Sequence, residues 1–203
     1  MVSQVYSMGL YGMDAFPVLV ESDISRALPS FDIVGLPDAA VKESRDRVRS
    51  AVKNCGYTFP EGKITVNLAP ADKRKEGPIY DLPLFISLLC ASGQMSANLE
   101  GCAFLGELSL GGTLRPVRGV LPMTIGAQES GFQRIFLPAE NAAEAAAVAG
   151  ISAFPIHNVM ELISFLAGRK EIMPAKPAPV QLDAFDHTLD FADVRGQVQS
   201  KRG

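Results

Sequence analysis

Between Arg134 and Leu166, strand-prone and helix-prone runs alternate without a break, and this rhythm constrains the fold more than any other feature. Arg134-Ile135-Phe136-Leu137 reads as a strand and Ala139 to Ala149 as an Ala-rich helix. Ile151 to Ile156 reads as a strand, and Val159 to Leu166 as a helix ended by Gly168. Strands joined through helices run parallel, because the helix carries the chain back to the end of the sheet where the previous strand began. The first third is different. Val2-Tyr6, Phe16-Ser22 and Ser30-Val34 are strand-like, and hairpin-like turns near Gly12-Met13-Asp14 and from Asp23 to Pro29 predict antiparallel neighbours. The pattern predicts a mixed α/β (α+β) domain over residues 1–168.

Between these parts lies an amphipathic helix from Pro37 to Gly56, with Val41, Val48, Val52 and Cys55 on one stripe and charges on the rest. Lys63 to Leu68 alternates as a strand, and Ala69 to Pro78 is a polar loop. Asp81 is positioned to cap a buried helix from Leu82 to Ser92. Ala103 to Leu108 and Thr113 to Pro116 read as strands about the Gly111-Gly112 turn, and Val120 to Glu129 as a helix. From Arg169 the composition changes. Residues 169–189 read as a stiff Pro-rich linker, and 190–203 as the opening of a further module.

Apolar residues make up 47% of the 203 and charged residues 20%, enough to bury a substantial core. A net charge of −3 argues against a surface that grips nucleic acid all over, while leaving room for a local basic patch. Cys55, Cys90 and Cys102 are widely spaced, without a CxxC pair or a nearby histidine, so a zinc site or disulfide framework is not expected. No signal peptide is visible at the start. The most apolar run, Leu82 to Ala91, is about half of what a membrane-spanning helix needs. The expected location is cytoplasmic, with no membrane partner.

Catalytic motifs are scarce. Gly101 to Gly106 has the glycine spacing of a phosphate loop, but Glu107 stands where a lysine belongs and would repel phosphate. His157 is the one histidine placed to serve as the base of a Ser/His/Asp triad, and its position just before a helix fits a capping or solvated residue as well. The basic candidates are Lys73, Arg74 and Lys75 in the loop after the 63–68 strand, and Arg45 and Arg49 on the 37–56 helix. Either group has the charge to neutralise phosphates of a nucleic acid, and either is also compatible with a merely solvated face.

Phe104 to Val117, with its Gly106-Glu107 strand, Gly-turn and Pro116, resembles the Lon protease proteolytic domain, as do Gly126-Ala127, Gly131-Phe132 and Leu137-Pro138-Ala139-Glu140-Asn141. That resemblance implies a Lon proteolytic-domain-like, ribosomal protein S5 domain 2-like mixed sheet with βαβ units. It places the family's catalytic serine at Ile79 and its lysine at Leu121, neither of which can act as nucleophile or base. Asp32 to Asp38, Thr65 to Asp72, Lys75-Glu76-Gly77 and Asp81-Leu82-Pro83 resemble the N-terminal domain of the YifB/ComM family of magnesium-chelatase-like AAA+ ATPases. Phe191 to Gln197 resembles the segment that opens the ATPase module of that family.

The resemblance implies a non-catalytic Lon-like domain of a hexameric ATPase that processes DNA. It would have no cofactor or metal of its own, with ATP and Mg2+ bound in a C-terminal AAA+ module. Its partners would be that module, further copies in a hexamer, and DNA. Two other readings stand beside it: an ATP-dependent peptidase with an unrecognised nucleophile such as Ser87 or Ser109, and a chelatase-like accessory protein.

Overall fold

The computed structural model describes residues 2–177. Among these residues, nine strands and five α-helices follow the predicted order, and the architecture is mixed α/β. Strands β1 (Ser3–Tyr11) and β2 (Asp14–Ser25) form a long antiparallel hairpin about the Gly12-Met13 turn. β3 (Ser30–Val34), β4 (Lys63–Ala69), β5 (Cys102–Phe104), β8 (Arg134–Pro138) and β9 (Ser152–Ile156) complete a seven-stranded sheet in the order β3-β4-β2-β1-β5-β8-β9. A separate two-stranded ribbon pairs β6 (Glu107–Leu108) with β7 (Leu114–Arg115).

The expected antiparallel neighbourhood of the first three strands holds for β1 and β2 only. β4 lies between β2 and β3 and runs parallel to β3. Ile64, Val66 and Leu68 of β4 are fully buried on one face, which fixes the register of the strand against both neighbours. β3, helix α1 (Ala39–Asn54) and β4 therefore form a βαβ crossover, which the sequence had assigned only to the second half. Gly35 makes the exit from β3 possible. Its φ is +100°, and a Cβ there would collide with the carbonyl oxygen of Leu68.

Helix α1 starts where Asp38 accepts the N–H of Val41 (2.8 Å) and buries Val41, Ser44, Val48, Ala51 and Val52. Helix α2 (Asp81–Ala91) is apolar all round because it lies between α1 and the β1–β2 hairpin. Asp81 does not cap it as expected. A 3-10 turn, Pro78–Tyr80, leads straight into α2, and the Asp81 carboxylate turns to Arg47 instead.

In the second half, Phe104, Phe136 and Phe154 stack along adjacent parallel strands with centroids 5.0 Å apart, closed by Phe165 of α5 (Val159–Leu166). Helix α3 (Val120–Glu129) covers part of the β1–β2 hairpin. The predicted Ala139–Ala149 helix is reduced to a 3-10 turn over Ala139–Asn141 and a single turn, α4 (Ala142–Ala145). The expected 103–108 strand is also divided, because Gly106 (φ +158°) redirects the chain from β5 into the ribbon.

Past Gly168 the chain stays attached to the domain. Ile172 and Ala175 pack against the core, and the Ala175 N–H donates to Ala153 O (2.8 Å). The remainder of the expected linker and the 190–203 opening of a further module lie outside the described residues.

Candidate functional site

Three segments build a cleft of about 520 Å³ beside the β1–β2 hairpin. The first is the loop after β4. Its Lys75 N–H donates to Leu36 O (3.1 Å), Lys75 O accepts the Asp38 N–H (3.0 Å), and the Gly77 N–H donates to Asp38 Oδ2 (3.1 Å). Asp38 thus caps α1 with one oxygen and fixes the loop with the other. The second segment is the 3-10 turn: Ile79 O accepts the Gly106 N–H, and Gly106 O accepts the Leu82 N–H, both at 3.0 Å. The third is the 116–118 loop. The buried amide of Asn141 accepts the Val117 N–H (2.9 Å) and donates to Val117 O (3.0 Å). That clamp is a physical reason for an asparagine at the end of the Leu137-to-Asn141 block.

Leu10, Pro78, Ile79, Val117 and Met123 supply the apolar lining, and Asp38, Glu76, Glu107 and Arg118 the charges. Among the described residues, no Ser, Thr, Cys, Lys or His lines it. Ile79 is only 9% exposed. Leu121 stands on the first turn of α3, 38% exposed, with its N–H donated to Glu144 Oε1 (2.9 Å); it is not part of the lining. Glu76 pairs with Arg74 (3.3 Å) and Glu107 with Arg115 (3.2 Å). Arg118 is exposed and makes no ion pair among the described residues. Tyr80, buried beside the cleft, has its phenol pKa pushed up by burial and by the nearby Asp38 and Glu76 charges, so it stays neutral.

The sequence-derived basic candidates divide. Lys73 and Arg74 are exposed, Lys73 lying over the Phe16 ring (4.5 Å to its centroid). Lys75 must be withdrawn as a surface contact: it is fully buried, and its ammonium donates to the carbonyl oxygens of Pro70 and Lys73. Burial holds that ammonium below the ordinary lysine value; Asp72 opposes the shift and Lys73 adds to it. Arg45 and Arg49 are exposed and share a shallow depression of about 200 Å³ with Phe31 and Asp46, apart from the loop. Arg49 lies over the Phe59 ring (4.8 Å).

Of the serines considered as nucleophiles, Ser87 is fully buried and donates to Ser22 Oγ (2.8 Å), with Ser3 also bonded to it. Ser109 Oγ accepts the Thr113 N–H (3.0 Å) in the ribbon turn. His157 is exposed and hydrogen-bonded to Glu161 (3.0 Å). Among the described residues, no group of three or more His, Cys, Asp or Glu could hold a metal ion, and no helix is long and apolar enough to cross a membrane.

Sequence reasoning gave no site role to Arg118 or Asp38 and read Glu107 only as the acid that rules out a phosphate loop. Their signal lay in the family-like blocks themselves, since each sits within or beside one of them.

Fold and cleft together define a mixed α/β domain whose cleft is assembled from loops lying between residues 36 and 119. The family model described as subunit ChlI of Mg-chelatase matches residues 20–141, which contain all of those loops and the Asn141 clamp. The chain belongs to this Mg-chelatase ChlI-like family, and within it to the YifB/ComM group. It is 42% identical over 203 residues to YifB of Escherichia coli (strain K12), covering 100% of this chain and 40% of that protein. It is 39% identical over 203 residues to the competence protein ComM of Haemophilus influenzae (98% of this chain, 40% of that protein). The Lon protease of Aster yellows witches'-broom phytoplasma is 28% identical over 138 residues, or 64% of this chain and 17% of that protein. The chain spans about two fifths of the length of its YifB and ComM relatives.

Proposed function

We propose that this chain is the non-catalytic, Lon-like N-terminal domain of a hexameric AAA+ ATPase that processes DNA, as in helicase-driven branch migration during natural transformation. The domain serves ring assembly, DNA contact, or both. ATP and Mg2+ act in the C-terminal module, which motor-drives the DNA. The observation that carries the reading is the hydrocarbon of Ile79 lining the cleft at the position where the Lon resemblance puts the nucleophile. The relationship to a competence protein supports the DNA side of the reading.

The test has two arms. DNA binding is measured by fluorescence anisotropy for this chain and for the protein with its ATPase module, with and without ATP, over a salt series. Casein cleavage is measured in parallel. The expected result is ATP-dependent DNA binding with a steep salt slope and no proteolysis. Cleavage that disappears on replacing one serine would overturn the proposal.

A further inference from the structure

The groove between the β1–β2 turn and helix α3 is lined by Met13, Ala15, Pro122 and Ile125, with Asp14 and Glu129 as its only charged residues among those described, and has a volume of about 280 Å³. Met13 is 82% exposed, and Ile125 and neighbouring Tyr11 also face solvent. Helix α3 contains no basic residue. The turn and the helix thus leave Met13, Ile125 and Tyr11 open to solvent beside a concave surface able to take an apolar side chain.

A side chain of matching character is on the same chain. The loop from β2 to β3, Ser25 to Ser30, projects Leu28 at 88% exposure, the most exposed large apolar side chain among the described residues. Its one charged residue is Arg26, exposed and without an ion-pair partner among the described residues. An apolar knob with one cation thus matches an apolar groove whose charges are both anionic. Groove and knob lie at opposite ends of β2, which starts at Asp14 and ends at Ser25. Eleven steps at about 3.3 Å separate them by ~36 Å, so a chain cannot fill its own groove.

We propose that the groove receives the Leu28 loop of a second copy of this chain, with Arg26 placed against Asp14 or Glu129. Two different patches meeting make the contact heterologous, so successive copies close into a ring or extend as a filament. The proposal rests on the ring reading above and names the surface that would build it.

Sedimentation velocity over a concentration series tests it, using the chain itself, Leu28→Asp, Ile125→Asp and an equimolar mixture of the two variants. Wild type is expected to form species beyond a dimer. Each variant should need at least roughly tenfold higher concentration to associate, since a central apolar anchor is lost. The mixture should give a 1:1 dimer and nothing larger: the L28D copy keeps a sound groove and the I125D copy a sound knob. Met13→Ser, a milder change at an exposed position, should reproduce the I125D result, and circular dichroism checks that all variants are folded.

A wild-type chain that stays monomeric, an L28D variant that associates like wild type, or a mixture that stays monomeric overturns the contact. The same L28D and I125D changes in the protein with its ATPase module separate the two readings. A ring that assembles unchanged removes this contact and leaves the ring reading standing. A wild-type protein that remains monomeric with ATP removes both.

Discussion

Helix α1 and the loop after β4 each hold one cation turned inward and others turned outward. On α1, Arg47 reaches Asp81 with two hydrogen bonds, Nε to Oδ2 (2.6 Å) and Nη2 to Oδ1 (3.1 Å), while Arg45 and Arg49 face solvent. In the loop, Lys75 is buried against carbonyl oxygens while Lys73 and Arg74 are exposed. The inward pair organises the cleft. Arg47 holds Asp81, whose carboxylate also accepts the Leu108 N–H (3.0 Å) and so joins α1, α2 and the ribbon; Lys75 gathers the loop on which Glu76 and Gly77 sit. Positive charge in this domain is therefore divided by burial: the inward cations hold the cleft together and the outward ones are left to solvent.

The largest expected effect follows from breaking the fully buried side of that contrast. Burial pushes the Asp81 carboxyl above the usual carboxylate range, and Arg47, Ser44 and the Leu108 N–H pull against it. Asp81 in turn raises the Arg47 guanidinium further above its ordinary value. Arg47→Ala strands a buried carboxylate and should cost about 3–5 kcal/mol in urea unfolding, whereas the double change Arg47→Met with Asp81→Leu should recover most of that loss. A single variant as stable as wild type would show that the pair does not hold the helices together. Lys75→Met comes next. It leaves the Pro70 and Lys73 carbonyls without their donor, at about 1–3 kcal/mol, and should speed proteolytic cutting within residues 70–77.

The two sides of this contrast differ in how much of them is local in sequence. Val41, Val48 and Val52 marked the buried stripe of α1, because helical period is a local property. The orientation of Arg47 was not legible, because its partner is 34 positions away and Asp81 looked like a helix cap. Lys75 between Arg74 and Glu76 reads as surface; only the pairing of Pro37 with Lys75 turns it inward. The order of β3 and β4 was hidden for the same reason, since the Asp23-to-Pro29 stretch looked like a hairpin and a long-range partner decided otherwise. Ile79 was placed by resemblance, and the structure puts it in the cleft lining; Leu121, placed in the same way, lies on α3 outside that lining.

A smaller effect is expected at Glu161, where both partners are half or more exposed. Partial burial raises its pKa, but hydrogen bonds from Lys170 and from the His157 backbone and ring outweigh this and lower it below the ordinary 4.5. A lowered carboxyl pKa stabilises the fold above the unfolded value, and the contribution is lost as pH falls through the folded one. Glu161→Gln should therefore cost about 0.5–1 kcal/mol at neutral pH. The difference from wild type should vanish in acid well below pH 4.5. A difference that persists there would assign the effect to packing.

The smallest effect on stability belongs to the outward cations, and there the measurement changes from unfolding to binding. Arg45→Ala, Arg49→Ala and Arg74→Ala remove mostly solvent-facing side chains, so unfolding should change by no more than about 0.5–1 kcal/mol, most at Arg49, which lies over the Phe59 ring. If the domain contacts DNA through them, each replacement should reduce the slope of log affinity against log salt by about 1, and uniformly across DNA sequences, because a phosphate contact releases counterions without reading bases. Arg45 and Arg49 share one depression and Arg74 lies on the other segment, so the pair and the single residue can be scored separately. A slope lost only with Arg74 would place DNA beside the cleft, where Arg118 also stands, and one lost only with Arg45 and Arg49 would place it along α1 and β3. An unchanged slope in all three would leave Arg45, Arg49 and Arg74 as solubilising charge and move any DNA contact to the other exposed cations, Lys73 and Arg118 first.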